Sequence, residues 1–299
     1  VRPRDWVALV GLSLIWGTSY LFIKVAVRDF SPATLVTVRL GLAGLLLAGV
    51  AGFQRRPFPR SLRTWAKLLF LGAASGGVPI SLIAWGERTI SSGAASVLNA
   101  TTPLWSVLFT AWTREEPLRP WRLAGVAVGF AGVVVLTDPA QAARADLLGS
   151  GAVVLASALY AWGILYARRN FAHLDPVVLA VGSLGGGAVA LFPMAVWSGL
   201  PASPTREAVA SLLALSVFGS AVAYLLFYHL VLHVSPTQTA LVTYLNPVTA
   251  VFWGWLILGE SVTASTVAGL ALTVAGVAAV GRGVPESPRG VGRRRGTSY

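Results

Sequence analysis

Lys24, Arg39, Glu87 and Arg88 interrupt stretches that are otherwise almost wholly apolar. A charge in such surroundings is costly unless it is paired or hydrogen-bonded, so each is a candidate to handle a charged solute, a proton or a gate. Glu87 has two prospective partners, Arg39 and Lys24. In the functional version Glu87 exchanges a proton, or Arg39 anchors a solute carboxylate. In the structural version the same charges form an outer gate or snorkel to the surface. No carboxylate lies at the middle of an apolar stretch, which argues against obligatory proton coupling through a deep acid.

A second set of residues is polar but uncharged. Ser96, Asn99, Pro103, Ser106 and Thr110 recur at alternating steps of three and four, which places them on one helix face. Pro103 has no N–H and clashes with the preceding turn, so the Asn99 carbonyl loses its helical donor, and Pro247 does the same to Thr243. Thr102, Tyr244 and Asn246 stand beside these breaks. Such a face lines a cavity, or packs a kinked helix against its neighbours through Ser and Thr. Trp16 and Tyr20 are four apart, as are Trp162 and Tyr166, so each pair shares a helix side. If both sides face inward, four aromatic rings line one chamber and can stack on a planar or apolar solute. The alternative is core packing or an interfacial belt. Trp85 and Trp105 are weaker candidates for the same wall. His229 and His233 have the spacing of metal ligands, but no third ligand accompanies them, and neither a metal nor a cofactor is expected.

The elements that must carry these residues follow from composition. The chain has 299 residues, of which 55% are hydrophobic and only 11% charged. Its mean hydropathy is +0.71. Soluble domains carry roughly 25% charged residues, so the outside of this protein must face lipid. A span needs about 20 apolar residues. Ten such stretches are read at 6–27, 32–52, 66–86, 92–112, 120–137, 149–167, 176–197, 208–229, 235–257 and 264–281. The fold class expected is therefore all-α integral membrane, with ten transmembrane helices. The first stretch has no small-x-small cleavage site before Lys24 and is read as a retained span.

The net charge of +12 suits nucleic acid or the loops of a membrane protein, and its distribution decides. Counting ten spans, the loop cations on the side of the termini outnumber Arg28, Arg88, Arg144 and Arg206 on the other side. That asymmetry is the positive-inside bias, so both termini are expected in the cytoplasm and no nucleic-acid partner is expected. The 282–299 segment is read as a basic, solvated cytoplasmic tail. With no cysteine, disulfides and thiolate sites are excluded.

The chain also repeats itself. An offset of 144 pairs Pro32 with Pro176, Ser91 with Ser235, Pro103 with Pro247, Glu116 with Glu260 and Ala131–Val133 with Ala275–Val277. Near the first span the offset becomes 146 and pairs Trp16-Gly17 with Trp162-Gly163. Arg39 falls opposite Ser183, so that charge is not duplicated. Two units result, 6–137 and 149–281. Five spans each make the second unit inverted relative to the first, an arrangement that places a solute site near the midplane. Glu116 and Glu260 precede the fifth and tenth spans, where a carboxylate meets the positive end of a helix.

These residues resemble the EamA family of the drug/metabolite transporter (DMT) superfamily. The resemblance is carried by Trp16-Gly17-Thr18-Ser19, by the stretch Ser91 to Leu104, by Glu116 with Gly125 and Gly132, and by Pro236, Asn246-Pro247, Gly259-Glu260, Gly269 and Gly276. It implies two inverted five-helix repeats around a central cavity, and a permease of the plasma or inner membrane, often an exporter of amino acids or related metabolites. A drug or nucleotide-sugar carrier is the alternative. A membrane-embedded enzyme lacks a clustered nucleophile, base or metal site. The expected partners are a small-molecule solute and the bilayer, with a homodimer left open.

Overall fold

The computed structural model describes residues 3–90, 92–117, 119–136, 146–258 and 264–281. Ser91, Arg144, Gly259, Glu260 and the 282–299 segment lie outside the described residues. Every regular element among those described is helical. Six helices are long and apolar enough to cross a membrane: α1 (Pro3–Ala26), α2 (Pro32–Phe53), α3 (Leu62–Gly86), α7 (Leu147–Phe171), α8 (Pro176–Ser198) and α9 (Arg206–His233). The stretches read as the fourth and ninth spans are each broken. The first becomes α4 (Ser92–Asn99) and α5 (Thr102–Trp112), the second α10 (Pro236–Ala240) and α11 (Val242–Leu258). The fifth and tenth are the shorter helices α6 (Pro120–Leu136) and α12 (Ala264–Gly281).

Helix starts follow local chemistry. Ser31 caps α2 by accepting from the Thr34 N–H at 3.1 Å, with Pro32 in the first turn. Asp175 and Pro176 do the same for α8, and Asp146 accepts from the Gly149 N–H at 2.7 Å to start α7. Each such cap satisfies an N–H that the helix itself cannot. Ser235 and Gln238 form a reciprocal capping box on α10.

α3 and α9 each contain a π segment, at Ala73–Gly77 and Val217–Val222. Neither is read as a break from the sequence, although Pro79 stands two residues after the first; no proline accompanies the second. Both begin at positions 144 apart, inside small-residue runs (AASGG and VFGSAV).

Two helix pairs make the closest contacts, α2 with α8 and α6 with α12. In lipid such contacts rest on van der Waals packing, so small residues dominate them. A Cβ on Gly276 would stand 2.5 Å from the Gly129 Cα. α3 is held against α8 in the same way: a Cβ on Gly72 would lie 1.9 Å from the Ser183 carbonyl oxygen. Outside the helices, Asp29 accepts from the Thr205 N–H and hydroxyl at 2.7 and 2.6 Å. These bonds hold its carboxyl below the usual range and tie the α1–α2 turn to the start of α9.

Gly72→Val is expected to cost about 1–3 kcal/mol through overpacking. In detergent it should lose most monodisperse protein after mild heating, as read by size-exclusion chromatography. Gly49→Ala, where nothing lies within 4 Å, should behave as the parent.

Candidate functional site

A cavity with about 620 Å³ of empty space, its mouth included, opens where α1, α2, α3, α4, α7, α9 and α11 converge. α1 supplies Trp16, Ser19, Tyr20 and Ile23, an i, i+3, i+4, i+7 face. Arg39 comes from α2, Ile80 and Ile83 from α3, and Asn99 from the last turn of α4. The remaining wall is Tyr160 on α7, Tyr224 and Phe227 on α9, and Thr243 and Asn246 on α11.

Arg39 is buried to 3% exposure, and its orientation is set by the π segment of α9. A π turn shifts the ladder by one residue and leaves backbone groups for other partners. The Gly219 carbonyl accepts from Arg39 Nη2 at 3.0 Å and from the Trp16 indole N–H at 3.2 Å. Arg39 Nε donates to the Ser220 hydroxyl at 2.7 Å. A Cβ at Gly219 would sit 3.1 Å from Ser19 Oγ and 3.2 Å from Arg39 Nη2, so any side chain here would press on the groups that hold Arg39. No ion pair engages Arg39 among the described residues. Its guanidinium therefore faces the cavity as a cation held by neutral acceptors.

The proline break in α4–α5 shapes another part of the wall. Pro103 stands at the second residue of α5 and cannot donate to Asn99. Thr102 supplies the missing donor, its hydroxyl reaching the Asn99 carbonyl at 2.7 Å. Asn99 Nδ2 then donates to the Tyr20 hydroxyl at 2.7 Å. The side-chain oxygens of Asn99 and Asn246 are buried and have no hydrogen-bond partner among the described residues. On α11, Thr249 beside Pro247 donates to the carbonyls of Ser13 and Asn246 at 2.8 and 3.0 Å. This bond ties α11 to α1.

Of the residues singled out in the sequence, Trp16, Tyr20, Arg39, Asn99 and Asn246 come together in the cavity. Thr102, Pro103 and Pro247 are buried behind it and shape its backbone. Trp162 and Tyr166 do not join them. They stack on each other with centroids 4.8 Å apart, and Phe70 of α3 meets both edge-on. The expected chamber of four aromatics is thus differently composed: Tyr160, two residues before Trp162 and on another side of α7, lines the wall together with Tyr224 and Phe227. Trp85 is 43% exposed and stands away from the site, because α3 turns Ile80 and Ile83 inward. Tyr244 is fully buried, and its hydroxyl donates to the Val126 carbonyl at 2.7 Å, so it joins α11 to α6. Trp105 stacks on Phe109 elsewhere.

Glu87 forms no ion pair with Arg39 or Lys24 among the described residues. Lys24 Nζ instead donates to the backbone carbonyls of Glu87 and, at 3.0 Å, of Ile90, closing the C-terminal end of α3. Glu116 also behaves differently from the expectation of a cap on the following helix. It is buried, pairs with Arg122 at 2.6 Å, and accepts from the Thr237 N–H and hydroxyl at 3.2 and 2.6 Å. It thereby pins the start of α10 to the first turn of α6. His229 lies 3.0 Å from Asp5, and His233 from the His229 carbonyl at 2.8 Å. Among the described residues no three His, Cys, Asp or Glu side chains converge as a metal site.

Sequence reasoning missed Tyr160, Tyr224 and Phe227, and missed the π segment that orients Arg39. A signal existed in the two small-residue runs at matching offsets.

A multi-pass membrane protein with an internal, polar-studded cavity among its helices is the class defined by this architecture. Comparison with known proteins narrows it. The EamA-like transporter family matches residues 6–138 and 147–282, and the chain belongs to that family. It is similar to the "Uncharacterized inner membrane transporter YedA" of Escherichia coli K12, 29% identical over 270 residues, covering 89% of this chain and 86% of that protein. It is also similar to the "WAT1-related protein At3g02690, chloroplastic" of Arabidopsis thaliana, at 26% identity over 90% of this chain and 67% of the relative. An "Uncharacterized transporter" of Archaeoglobus fulgidus is 25% identical over 90% of this chain and 95% of its own length. One solved crystal structure shares the fold with a TM-score of 0.76 at 18% identity, covering 94% of this chain and 98% of its own.

Thr102→Val keeps the shape of the side chain but leaves the Asn99 carbonyl without a donor. It should destabilise the protein by about 1–3 kcal/mol, the usual cost of a buried unsatisfied group. Thermal unfolding in detergent checks this, and Thr102→Ser should recover most of the loss.

Proposed function

We propose that the protein is a permease that exports amino acids or closely related small metabolites by alternating access. In this reading ten membrane-spanning helices form two inverted five-helix repeats, residues 6–137 and 149–281. Both termini are cytoplasmic, and the cavity is the solute site.

The observation that carries the reading is the composition of the cavity wall. Arg39 presents a guanidinium with no close ion pair among the described residues, Glu87 acting on it only at longer range. A desolvated cation of this kind is costly until an anion completes it. A carboxylate is the group that a planar guanidinium fits best, through two parallel N–H donors. Across the site, the buried side-chain oxygens of Asn99 and Asn246 lack donors. They suit an ammonium or another N–H group. Trp16, Ile23, Ile80, Ile83 and Phe227 supply apolar contact between these ends. One cationic end, one accepting end and an apolar wall match the three parts of an amino acid. Family membership and the transporter names of the relatives support transport as such, and export is the direction the family resemblance implies.

The test compares metabolite release from cells with and without the protein. Wild type should release one or a few carboxylate-bearing amines. Arg39→Gln should lower that release about tenfold or more at equal membrane level, because a hydrogen bond to a charged group contributes roughly 1.5–3 kcal/mol. Asn99→Ala should lower it as well. Release unchanged in both variants would remove the cavity as the solute site.

A further inference from the structure

Glu87 is a buried carboxyl group one helical turn beyond the cavity-lining Ile83, and the proposed solute site does not use it. It follows Ile83 by four residues on the face of α3 that Ile80 and Ile83 present to the cavity. It is 0% exposed, and neither carboxyl oxygen has a hydrogen-bond partner among the described residues. The cation nearest in chain contact, Lys24, is bound to the Glu87 and Ile90 backbone carbonyls instead of to the carboxyl group. An ionised carboxylate so enclosed, with no donor, would bear its full desolvation cost. A neutral carboxyl group avoids that cost.

We infer that Glu87 is a proton-binding site of the transport cycle, carrying a proton in the state seen here and releasing it in another. The inference rests on the permease reading above and adds its driving ion. The charged and titratable groups around Glu87 define the second state. α1 contributes Lys24 and Tyr20, and α2 contributes Arg39, each of which interacts electrostatically with Glu87. On α7, Asp146 is engaged by the Gly149 N–H and Thr89, and Tyr160 faces Arg39. Arg88 on the same turn is exposed. Once the proton leaves for water, the carboxylate draws Lys24 off the two carbonyls that it caps, which loosens the end of α3 against α1. Reprotonation from the other side restores the closed arrangement. One proton is bound and one released, with no covalent bond of the chain altered. Glu87 touches no solute atom in this scheme, so it is a coupling residue and Lys24 a positioning one.

Two measurements on the full-length protein in liposomes test this. The first needs no solute: infrared difference spectra across a pH titration should show a protonated carboxyl band at neutral pH that vanishes in Glu87→Gln and shifts in Glu87→Asp. The second uses vesicles loaded with an equimolar mixture of the common amino acids and a pH-sensitive dye. An inward proton gradient should speed amino-acid release and raise the proton signal. Glu87→Gln should lower the gradient-driven rate about tenfold more than it lowers amino-acid exchange at equal pH, a factor within the range of ordinary coupling energies. Glu87→Asp should retain part of the coupling, which separates titration from misfolding. Absence of the carboxyl band, or release that ignores the gradient in wild type, overturns the inference. A band assigned to Glu87 without any amino-acid release supports the proton site and counts instead against the amino-acid reading.

Discussion

Lipid offers no hydrogen bonds, and that single constraint governs where this chain is irregular. A helix may break inside such a protein only if other protein groups take up the freed backbone atoms. Two of the interruptions described above are repaired in this way. Thr102 restores the donor that Pro103 removes. The π segment of α9 passes the Gly219 carbonyl to Arg39 and Trp16. The repairs are also what build the site, since Asn99, Arg39 and Trp16 owe their orientation to them. Irregular backbone and polar cavity are thus one feature seen from two sides.

The small residues follow from the same constraint. Helices that cannot gain from excluding water gain from contact area, so α2 and α3 approach α8, and α6 approaches α12, through glycine. Close packing there leaves little freedom for local adjustment. Any movement that opens the cavity to one side must therefore shift whole helices, and the joints most suited to absorb it are the interrupted turns at Thr101, Leu241 and the two π segments.

Much of this was legible in the sequence because the signals were local. Hydropathy located the long helices to within a few residues, and Pro103 marked the break between α4 and α5 for a stated reason, a missing N–H. Arg39, Asn99, Tyr20 and Trp16 stood out as polar or aromatic groups within apolar runs, and the cavity gathers them. What escaped depends on rotation about a helix axis. Trp162 and Tyr160 are two residues apart, just over half a turn, and only tertiary packing decides which of them faces inward. Trp85 was misplaced by the same ambiguity. The π segment of α9 escaped because no proline marks it, and that of α3 because the signal of Pro79 beside it went unread. The sequence left open whether Glu87 pairs with Arg39 or Lys24, and Lys24 serves backbone carbonyls instead of the carboxyl group.

The matched positions of the two sequence halves have diverged in use, and that divergence is informative about chemistry. Opposite Arg39 stands Ser183, whose hydroxyl accepts from Tyr228 at 2.6 Å in a closed, apolar setting. The serine contact is complete without any ligand, whereas the arginine contact is not. In the proposed permease, one desolvated cation placed in only one of two matched sequence halves would create a single site of fixed polarity, in which a solute with one negative end would bind in one orientation. Such a polarity arises from a single substitution on an otherwise repeated framework, since the serine at the matching place shows that the helix packing itself does not require a charge.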